Sequence, residues 1–409
     1  MVRTSFRLSA CLAAGWLAVL VAGCGSESVS PATRDADWPG EGEADASSVL
    51  PEAEVDAGLS PDVYVAADTD GDTVTPADTS VAADTDRDTA PPADTFAATD
   101  AGTVSSDAYA ADLRIPPAPV TVVVLPDTQY YSSSHPDIFA AQTRWIVEQK
   151  PARNVAAVLH VGDLVDGPGD PAQWTVANSS MRLLDKALVP YVIVPGNHDT
   201  DNNRGGPIDN YFAPTTMPWI TGTMTAGQIE NNYALVDIGP QKWLVLGLEF
   251  GPRDAVLTWA DGVLKAYPAL PTIIVTHAYL YGDGTRYNYA LYGSAQAWYP
   301  RYYLFTPNEG INDGEDIWQK LIVPNPNVRL VFCGHDNGAA RLTSLRADGS
   351  PVHQMLSDYQ WADSLGGSGY LRVLEFDYGK KEIRVQTYSP YLDLFMTDDA
   401  NQFTLSLER

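Results

Sequence analysis

Five apolar runs in the sequence end in side chains that can bind a divalent metal ion. They are followed, in chain order, by Asp127-Thr128-Gln129, Gly162-Asp163-Leu164-Val165-Asp166, Gly196-Asn197-His198-Asp199, Thr276-His277 and Gly334-His335-Asp336-Asn337. Carboxylate and amide oxygens and imidazole nitrogens are ordinary protein ligands of Mg²⁺, Mn²⁺ and Zn²⁺. Because sites in open α/β sheets form beyond the carboxyl ends of the strands, we expect these loops at one edge. The pattern predicts a metal-assisted reaction.

The apolar runs have the length and composition of β-strands. They cover residues 120–125, 155–161, 191–194, 272–276 and 328–333. Helical patterns separate several of them, and one such pattern covers residues 139–150, with Pro136 and Asp137 near its start. This alternation predicts parallel strands in βαβ units. Further strands without such helices are predicted at 233–237, 243–248, 370–376 and 383–388. The expected fold class is α/β, a mixed sandwich of two sheets.

The order of the motifs resembles that of the calcineurin-like metallophosphoesterase superfamily. Its motifs are D-x-H, GDxxD, GNH(D/E), a lone His and GHxH, and the resemblance spans residues from about 115 to 340. The segment Leu125-Pro126-Asp127-Thr128-Gln129, followed by a Gln-x-x-Trp-Ile helix, is similar to the branch in which Gln takes the first His position. The resemblance implies an αββα sandwich, with the later strands closing the second sheet.

The resemblance also implies two divalent metal ions that share Asp163, since a carboxylate has two oxygens and a full charge to share. The other six implied ligands divide between the two ions, with Asp127, Gln129 and Asn337 at one and Asn197, His277 and His335 at the other. In such centres, ions about 3.5–4 Å apart polarise the phosphoryl oxygens and hold the hydroxide that attacks in line. The implied activity is hydrolysis of a phosphate mono- or diester.

Two departures from the family pattern fall on the same predicted ion. Gln129 replaces the first His, and Asn337 replaces the second His of GHxH. That site keeps only oxygen ligands, which favour Mn²⁺, Mg²⁺ or Ca²⁺, whereas the site with two imidazoles suits Zn²⁺, Mn²⁺ or Fe²⁺. An asymmetric pair of ions is therefore predicted. The alternative is a one-metal or inactive centre.

Four further residues receive roles, two of them (His198 and Asp199) from the same resemblance and two (Asp166 and Arg204) from their positions in the sequence. His198 would protonate the leaving group or bind a phosphate oxygen, and Asp199 would orient it. Asp166 is expected to support a metal ligand from behind, where orientation governs affinity. Arg204, in the loop after GNHD, can clamp a phosphate oxygen with two N–H groups, although an exposed surface arginine is an equal alternative.

An aromatic segment at residues 279–316 contains eight Tyr and one Trp. Such a segment can form a lid that stacks on a nucleoside, sugar or aryl group of a substrate. It can equally form a satellite core over the edge of the sheet, which is the interpretation that we favour from the sequence.

Composition excludes several classes of protein. The 409 residues include 52 acidic and 25 basic side chains, for a net charge of −27, and nucleic-acid binding needs clustered Lys and Arg instead. Only three cysteines occur, which excludes a disulfide framework and a Cys-rich zinc site. The acidic excess is concentrated between residues 25 and 112, a segment that contains 21 acidic residues and only two arginines.

The N-terminus is typical of an exported protein. Arg3 and Arg7 precede an apolar run over residues 8–21 that is too short to span a membrane. Val21-Ala22-Gly23-Cys24 resembles a bacterial lipoprotein cleavage box, which implies a signal peptide at 1–23 and a lipid on Cys24 as the membrane partner. Ser26, which follows Cys24 closely, favours the outer membrane of the cell envelope. The alternative is an ordinary signal peptide.

Residues 24–112 are rich in Ala, Asp, Thr and Pro and show no apolar periodicity. Such a segment cannot bury enough apolar surface to offset its ordering entropy, so it is predicted to be a disordered tether. The phosphoesterase domain is expected at 113–409. Two rival functions stay open: a degenerate scaffold that acts as a surface binding protein, and a structural surface protein in which the tether is the functional part.

Overall fold

The computed structural model describes residues 118–408. The predicted signal peptide, lipidation site and tether lie outside the described residues. The strands, numbered in chain order, are β1 (Val120–Leu125), β2 (Val155–His160), β3 (Tyr191–Ile193), β4 (Ile220–Thr223), β5 (Asn232–Ile238), β6 (Gln241–Leu248), β7 (Thr272–Thr276), β8 (Val328–Cys333), β9 (Gly338–Leu345), β10 (Pro351–Asp358), β11 (Leu371–Asp377), β12 (Glu382–Ser389), β13 (Leu394–Met396) and β14 (Phe403–Ser406). The helices are α1 (Gln129–Ser134), α2 (Pro136–Arg153), α3 (Pro171–Lys186), α4 (Ile208–Tyr211), α5 (Asp254–Ala266), α6 (Tyr289–Tyr292) and α7 (Gly314–Ile317).

These strands form two sheets. The first has the order β13-β12-β11-β1-β2-β3, with β14 paired to β12, and the second has the order β4-β5-β6-β7-β8-β10-β9. Parallel pairing joins β1, β2 and β3 at one end of the first sheet and β6, β7, β8 and β10 within the second, and the remaining pairs are antiparallel. Strand β1 reads VTVVVL and is buried on both faces, as expected of a strand inside a covered sheet. The predicted mixed two-sheet fold is confirmed, but the late strands β11 and β12 join the sheet of β1 and do not close the second sheet as expected.

Alternate side chains of the central strands divide between separate cores. Val122 and Val124 point into the core between the sheets, where Val245 and Phe332 of the second sheet also lie. Val123, on the opposite face of β1, packs in the core beneath the helices. This division follows from the period of two in a strand, which sends successive side chains to opposite faces. One strand therefore stabilises two layers.

Helices cover the outer face of each sheet. On the first sheet, Phe139 of α2 and Trp174 of α3 are buried against the strands. On the second sheet, Leu257 of α5 packs with Ile274 of β7. The layers are therefore helix, sheet, sheet, helix, which confirms the expected αββα arrangement. Within residues 118–408, no helix is long and apolar enough to cross a membrane.

The strand register brings the carboxyl ends of the parallel strands to one edge. In the first sheet, Leu125 lies opposite His160. In the second sheet, the ends of β6, β7 and β8 are similarly aligned. The two edges are joined directly, because the ring of His277, after β7, contacts the carbonyl of Val161, after β2, at 2.9 Å. The loops that carry the predicted ligands therefore meet.

The aromatic segment forms its own small core beside this edge. Tyr287 and Tyr299 are fully buried together with Phe250 and Leu304. Other rings of the segment, including that of Trp298, are exposed. The satellite core favoured from the sequence is thus present, and the exposed rings border it.

The core between the sheets predicts a large stability effect at Phe332. Phe332→Ala is expected to lower the free energy of unfolding by about 3–5 kcal/mol, because it leaves a cavity where two sheets pack. Leu345→Ala is the control, since Leu345 is 66% exposed and its truncation should change that free energy by less than about 0.5 kcal/mol. Urea unfolding monitored by circular dichroism measures both, and equal losses in the two variants would contradict the assignment of the core.

Candidate metal centre

Three buried side chains from different strands converge at the common edge. Asp127, Asp163 and His277 each place one ligand atom within 4.8 Å of the others. His277 Nε2 lies 3.2 Å from Asp163 Oδ2 and 4.0 Å from Asp127 Oδ2. The sequence separates these residues by up to 150 positions, and only the alignment of strand ends brings them together. Two carboxylates and an imidazole in this arrangement can hold a divalent cation.

His277 also faces two other predicted ligands. Its Nε2 lies 3.2 Å from Asn197 Oδ1 and 3.2 Å from His335 Nδ1. The opposite nitrogen of each ring contacts a backbone carbonyl, Val161 O at 2.9 Å and Trp298 O at 2.6 Å. Since a carbonyl only accepts, those outer nitrogens carry protons, and the two facing nitrogens are the ones with free lone pairs.

The electrostatics of the two rings differ. Burial lowers the pKa of His277, but the negative charge and hydrogen bond of Asp163 raise it by more, so the net shift is upward. Burial and the neighbouring positive charge of His277 lower the pKa of His335 to about 3. A divalent cation at the same place would satisfy both lone pairs together.

Two buried oxygens of the residues predicted to bind the other ion lack any hydrogen-bond donor among the described residues. They are Asp127 Oδ1 and Gln129 Oε1. The second Asp127 oxygen accepts from the backbone N–H of His335 at 3.0 Å, which fixes the carboxylate. Buried polar atoms are nearly always paired, so a cation is the natural partner of these oxygens. The donor atoms therefore suit metal ions on both sides of Asp163.

Asp163 has the environment of an ionised carboxylate. Burial raises its pKa, but the positive charges of His277 and His198 lower it by more, and the net pKa lies well below its ordinary value. Its backbone is in the left-handed region, with φ of 53°, and His335 has φ of 77°. Such conformations cost about 1–3 kcal/mol in a non-glycine residue and are found where function fixes them.

Glycines make room for the carboxylates. A Cβ atom on Gly196 would lie 2.0 Å from Asp163 Oδ1, and one on Gly334 would lie 1.9 Å from Asp127 Oδ1. These are far below any contact that a carbon atom tolerates. The glycines that precede Asn197 and His335 are thus needed because a carboxylate oxygen occupies the space of their missing side chains.

The comparison with protein-family models gives one match that covers more than half of the chain. The calcineurin-like phosphoesterase model matches residues 120–338. The chain belongs to this family. The resemblance found in the motifs is therefore confirmed, and membership supports metal-dependent hydrolysis of phosphate esters in general.

A curated relative and several solved structures are similar to this phosphoesterase. The chain is 35% identical over 314 residues to the uncharacterized protein YvnB of Bacillus subtilis (strain 168), a match that covers 72% of this chain and 22% of the relative. The chain therefore spans about a fifth of that relative's length. A dimetal phosphatase from Danio rerio is 14% identical, with a TM-score of 0.44, and the match covers 71% of this chain and 100% of that one. Purple acid phosphatase PPD1 from yellow lupin (Lupinus luteus) is 16% identical, with a TM-score of 0.43, and the match covers 71% of this chain and 54% of that one.

The two acids near His198 in this phosphoesterase have contacts that differ from the predicted ones. Asp199 is fully buried, and its oxygens accept from the backbone N–H groups of Val165 at 3.0 Å and Gly196 at 2.8 Å, not from His198. His198 Nδ1 instead lies 2.8 Å from the carbonyl of Asp166 and 3.5 Å from its carboxylate. Asp166 orients His198, whereas Asp199 ties two loops together.

Arg204 is also placed differently from the prediction. Its guanidinium donates to the carbonyls of Phe250 and Gly251, both at 2.7 Å, and lies 3.2 Å from Glu249. A fourth contact, at 3.2 Å, reaches Thr306. Acceptors within the chain therefore occupy the donors that a phosphate clamp would need, and Arg204 fastens the loop after GNHD to the end of β6.

Asn337 is the one exposed residue among the seven predicted ligands, of which Asn197 is half-buried and the other five are buried. It is exposed, whereas the neighbouring Asp336 is buried and accepts from the backbone N–H groups of Gly282 and Asn337. The turn after His335 thus directs the aspartate inward. This differs from the role that the family pattern implies for the residue two positions after the histidine of GHxH.

Sequence reasoning missed Asp358, which is fully buried at the end of β10. Burial raises the pKa of Asp358 to about 7, with a further upward contribution from Asp163. The signal was available, since Asp358 follows the apolar residues Met355 and Leu356 just as Asp163 follows Val161. The apolar runs from which we predict strands do not include residues 351–358, so Asp358 is not singled out from the sequence.

The missing side chain of Gly334 yields a test of the metal centre. Gly334→Ala is expected to displace Asp127, lower the metal content of the purified protein, and destabilise it by about 1–3 kcal/mol through overpacking. Gly262→Ala is the matched control, because Gly262 lies in α5 with nothing within 4 Å, and helix propensity predicts a gain of about 0.5–1 kcal/mol. Metal analysis and urea unfolding read out both variants. An unaltered metal content in Gly334→Ala would count against the site.

Proposed function

We propose that this protein hydrolyses a phosphate mono- or diester with the help of two divalent metal ions. The observation that carries the proposal is the buried group of Asp127, Asp163 and His277, whose ligand atoms lie within 4.8 Å of one another in a calcineurin-like phosphoesterase. Family membership supports the class of reaction. The residues and their roles are our own assignment.

The ligands divide about Asp163. Asp127 and Gln129 would hold one ion through the two oxygens that lack donors, and Asn197, His277 and His335 would hold the other. When bound, such ions polarise the phosphoryl oxygens and activate water for in-line attack. The Gln129 side presents only oxygen atoms, so Mn²⁺, Mg²⁺ or Ca²⁺ suits it, and the side with two imidazoles suits Zn²⁺, Mn²⁺ or Fe²⁺.

His198 is our candidate for the group that assists the leaving oxygen. The ring is half-buried, and Nδ1 donates to the Asp166 carbonyl, so Nε2 is the nitrogen left to deliver a proton. Burial lowers the pKa of His198, but the charge of Asp163 and the bond to Asp166 raise it by more. This net upward shift favours the protonated ring that a general acid requires.

The location of the enzyme is part of the proposal. The basic start, the short apolar run and the Val21-Ala22-Gly23-Cys24 box support a lipid anchor on Cys24 and a place in the bacterial cell envelope, with Ser26 favouring the outer membrane. The acidic segment 24–112 would then act as a tether between the lipid and the phosphoesterase domain at 113–409.

A degenerate scaffold that binds a ligand at the surface is the second candidate. The observations that favour it are Gln129 in place of His and the exposed position of Asn337. A panel of mono- and diesters with added Mn²⁺, Mg²⁺, Ca²⁺ or Zn²⁺ separates the two functions. Hydrolysis of any ester supports the enzyme, and silence across the panel with metal bound supports the binding protein.

The ligand assignment predicts the effect of removing Asp163 or His277. Asp163→Asn and His277→Ala should each lower metal-dependent hydrolysis of p-nitrophenyl and bis-p-nitrophenyl phosphate by about 10³-fold or more, because several kcal/mol of transition-state stabilisation is lost and each 1.4 kcal/mol is tenfold. Asp237→Asn is the control, as its carboxylate is 71% exposed on β5. Full activity in either site variant would remove the assignment.

The role of His198 predicts a dependence on the leaving group. His198→Ala should slow hydrolysis of an alkyl phosphate by about 10²–10⁴-fold, since the departing alkoxide is a strong base that needs a proton. The loss should be much smaller for p-nitrophenyl phosphate, whose phenolate leaves unaided. Steady-state rates for both esters, with metal content checked in the same samples, measure the difference. Equal losses on both substrates would show that His198 is not the proton donor.

A further inference from the structure

Asp358 stands at the same edge as the metal centre, on the strand beside His335. Strand β10 is parallel to β8, with Leu356 opposite Cys333. Asp358 and His335 each follow those paired residues by two positions, so both lie just beyond the last pair of the two neighbouring strands. Asp358 also pairs with Gly338 in the ladder between β9 and β10. The fold thus brings a further carboxylate to the edge where the predicted ligands meet.

The surroundings of Asp358 do not neutralise it. The residue is fully buried, and its oxygens accept from the backbone N–H and the Nε2 of Gln360, both at 2.9 Å. No Lys or Arg in residues 118–408 forms an ion pair with it. A buried carboxylate without a cation is costly, which makes such groups metal ligands or proton carriers.

Asp127 meets the end of β8, the strand that pairs with β10. Its Oδ2 accepts from the backbone N–H of His335 at 3.0 Å, and the missing side chain of Gly334 leaves room for its Oδ1. The end of β10, where Asp358 lies, is therefore next to the strand end that holds Asp127, and the negative charge of Asp358 raises the pKa of Asp127. Besides Asp127 Oδ1 and Gln129 Oε1, the Oε1 atom of Gln360 is buried and has no hydrogen-bond donor among the described residues.

We propose that Asp358 is a further carboxylate ligand of the divalent ion held by Asp127 and Gln129, and that Gln360 positions it. The inference rests on the metal centre of the proposed function. Asp358 adds negative charge where Gln129 replaces a histidine and where Asn337 is exposed. With Asp163, that ion has three carboxylates and one amide, which is a donor set suited to Mn²⁺, Mg²⁺ or Ca²⁺.

The test is metal binding by the full chain, measured apart from catalysis. Wild type, Asp358→Asn and Gln360→Ala are stripped with EDTA, titrated with Mn²⁺ by calorimetry, and analysed for bound metal after gel filtration. Wild type should bind two ions per chain. Asp358→Asn should bind one of them at least 10-fold more weakly and keep the other unchanged. Gln360→Ala should weaken binding of the same ion by a smaller factor than Asp358→Asn does, about 10-fold, which is the low end of the effect of losing a residue that orients a metal ligand.

Asp348→Asn is the matched control, because it removes one negative charge from an exposed turn. It should bind both ions as wild type does. Wild-type affinity at both ions in Asp358→Asn would overturn the inference. If Asp358→Asn does not fold, as judged by circular dichroism, Gln360→Ala decides: weakened binding at one ion supports the inference, and unchanged binding overturns it.

Hydrolysis separates this inference from the proposed function. A wild-type protein that binds two ions but hydrolyses no ester, together with weakened binding in Asp358→Asn, would sink the function and keep Asp358 as a ligand. A wild-type protein that hydrolyses esters, together with unchanged metal binding in Asp358→Asn, would do the reverse. Failure of the wild type to bind any metal would remove both.

Discussion

Buried negative charge at one edge of the sandwich is the constraint on which the rest of the site depends. Asp127, Asp163, Asp199 and Asp358 are all buried there, and repulsion among them adds to burial in raising the pKa of three of the four. The positive charges of His277 and His198 act on Asp163, whose pKa is lowered. Cations that bind among these groups would supply the missing positive charge. The same ions would therefore carry the chemistry and offset the repulsion among the buried carboxylates.

The fold meets this constraint with backbone more than with side chains. Backbone N–H groups of His198 and His335 donate to Asp163 and Asp127, and those of Val165 and Gly196 hold Asp199. Donation from the main chain fixes a carboxylate without adding a competing charge, so its remaining oxygens stay available to metal ions. Asp163 and His335 both have left-handed backbone conformations. Each of these turns has to direct a backbone N–H group and a side chain toward the same small site, which a regular strand conformation would not do.

The two halves of the centre are chemically unequal. The His277 half carries two nitrogens whose proton positions are set by backbone carbonyls, which is a stiff arrangement. The Gln129 half carries oxygens, two of which have no donor among the described residues. Inequality of this kind suits ions of different hardness and lets one be held more tightly than the other. The rings of the buried Tyr287 and the half-buried Tyr303 pack against His335 in the nitrogen-rich half.

The strand runs, the order of the motifs and the types of ligand can be read from the amino-acid sequence, because short apolar runs and the polar residues that follow them are local signals. Together with the family resemblance, they predict the αββα sandwich and name Asp127, Asp163, Asn197, His277 and His335, which the structure gathers at one edge. Short or polar edge strands such as β9 and β13 are not predicted, since their sequences carry little apolar alternation.

The direction in which each side chain points after its strand cannot be read from the sequence and follows from the packing of distant segments. Asp166 rather than Asp199 orients His198, Arg204 is used up by the carbonyls after β6, and the buried residue after His335 is Asp336 rather than Asn337. Asp358 joins the group only because β10 lies beside β8. The direction of a loop side chain depends on acceptors and donors supplied by segments remote in sequence, and no local pattern contains that information.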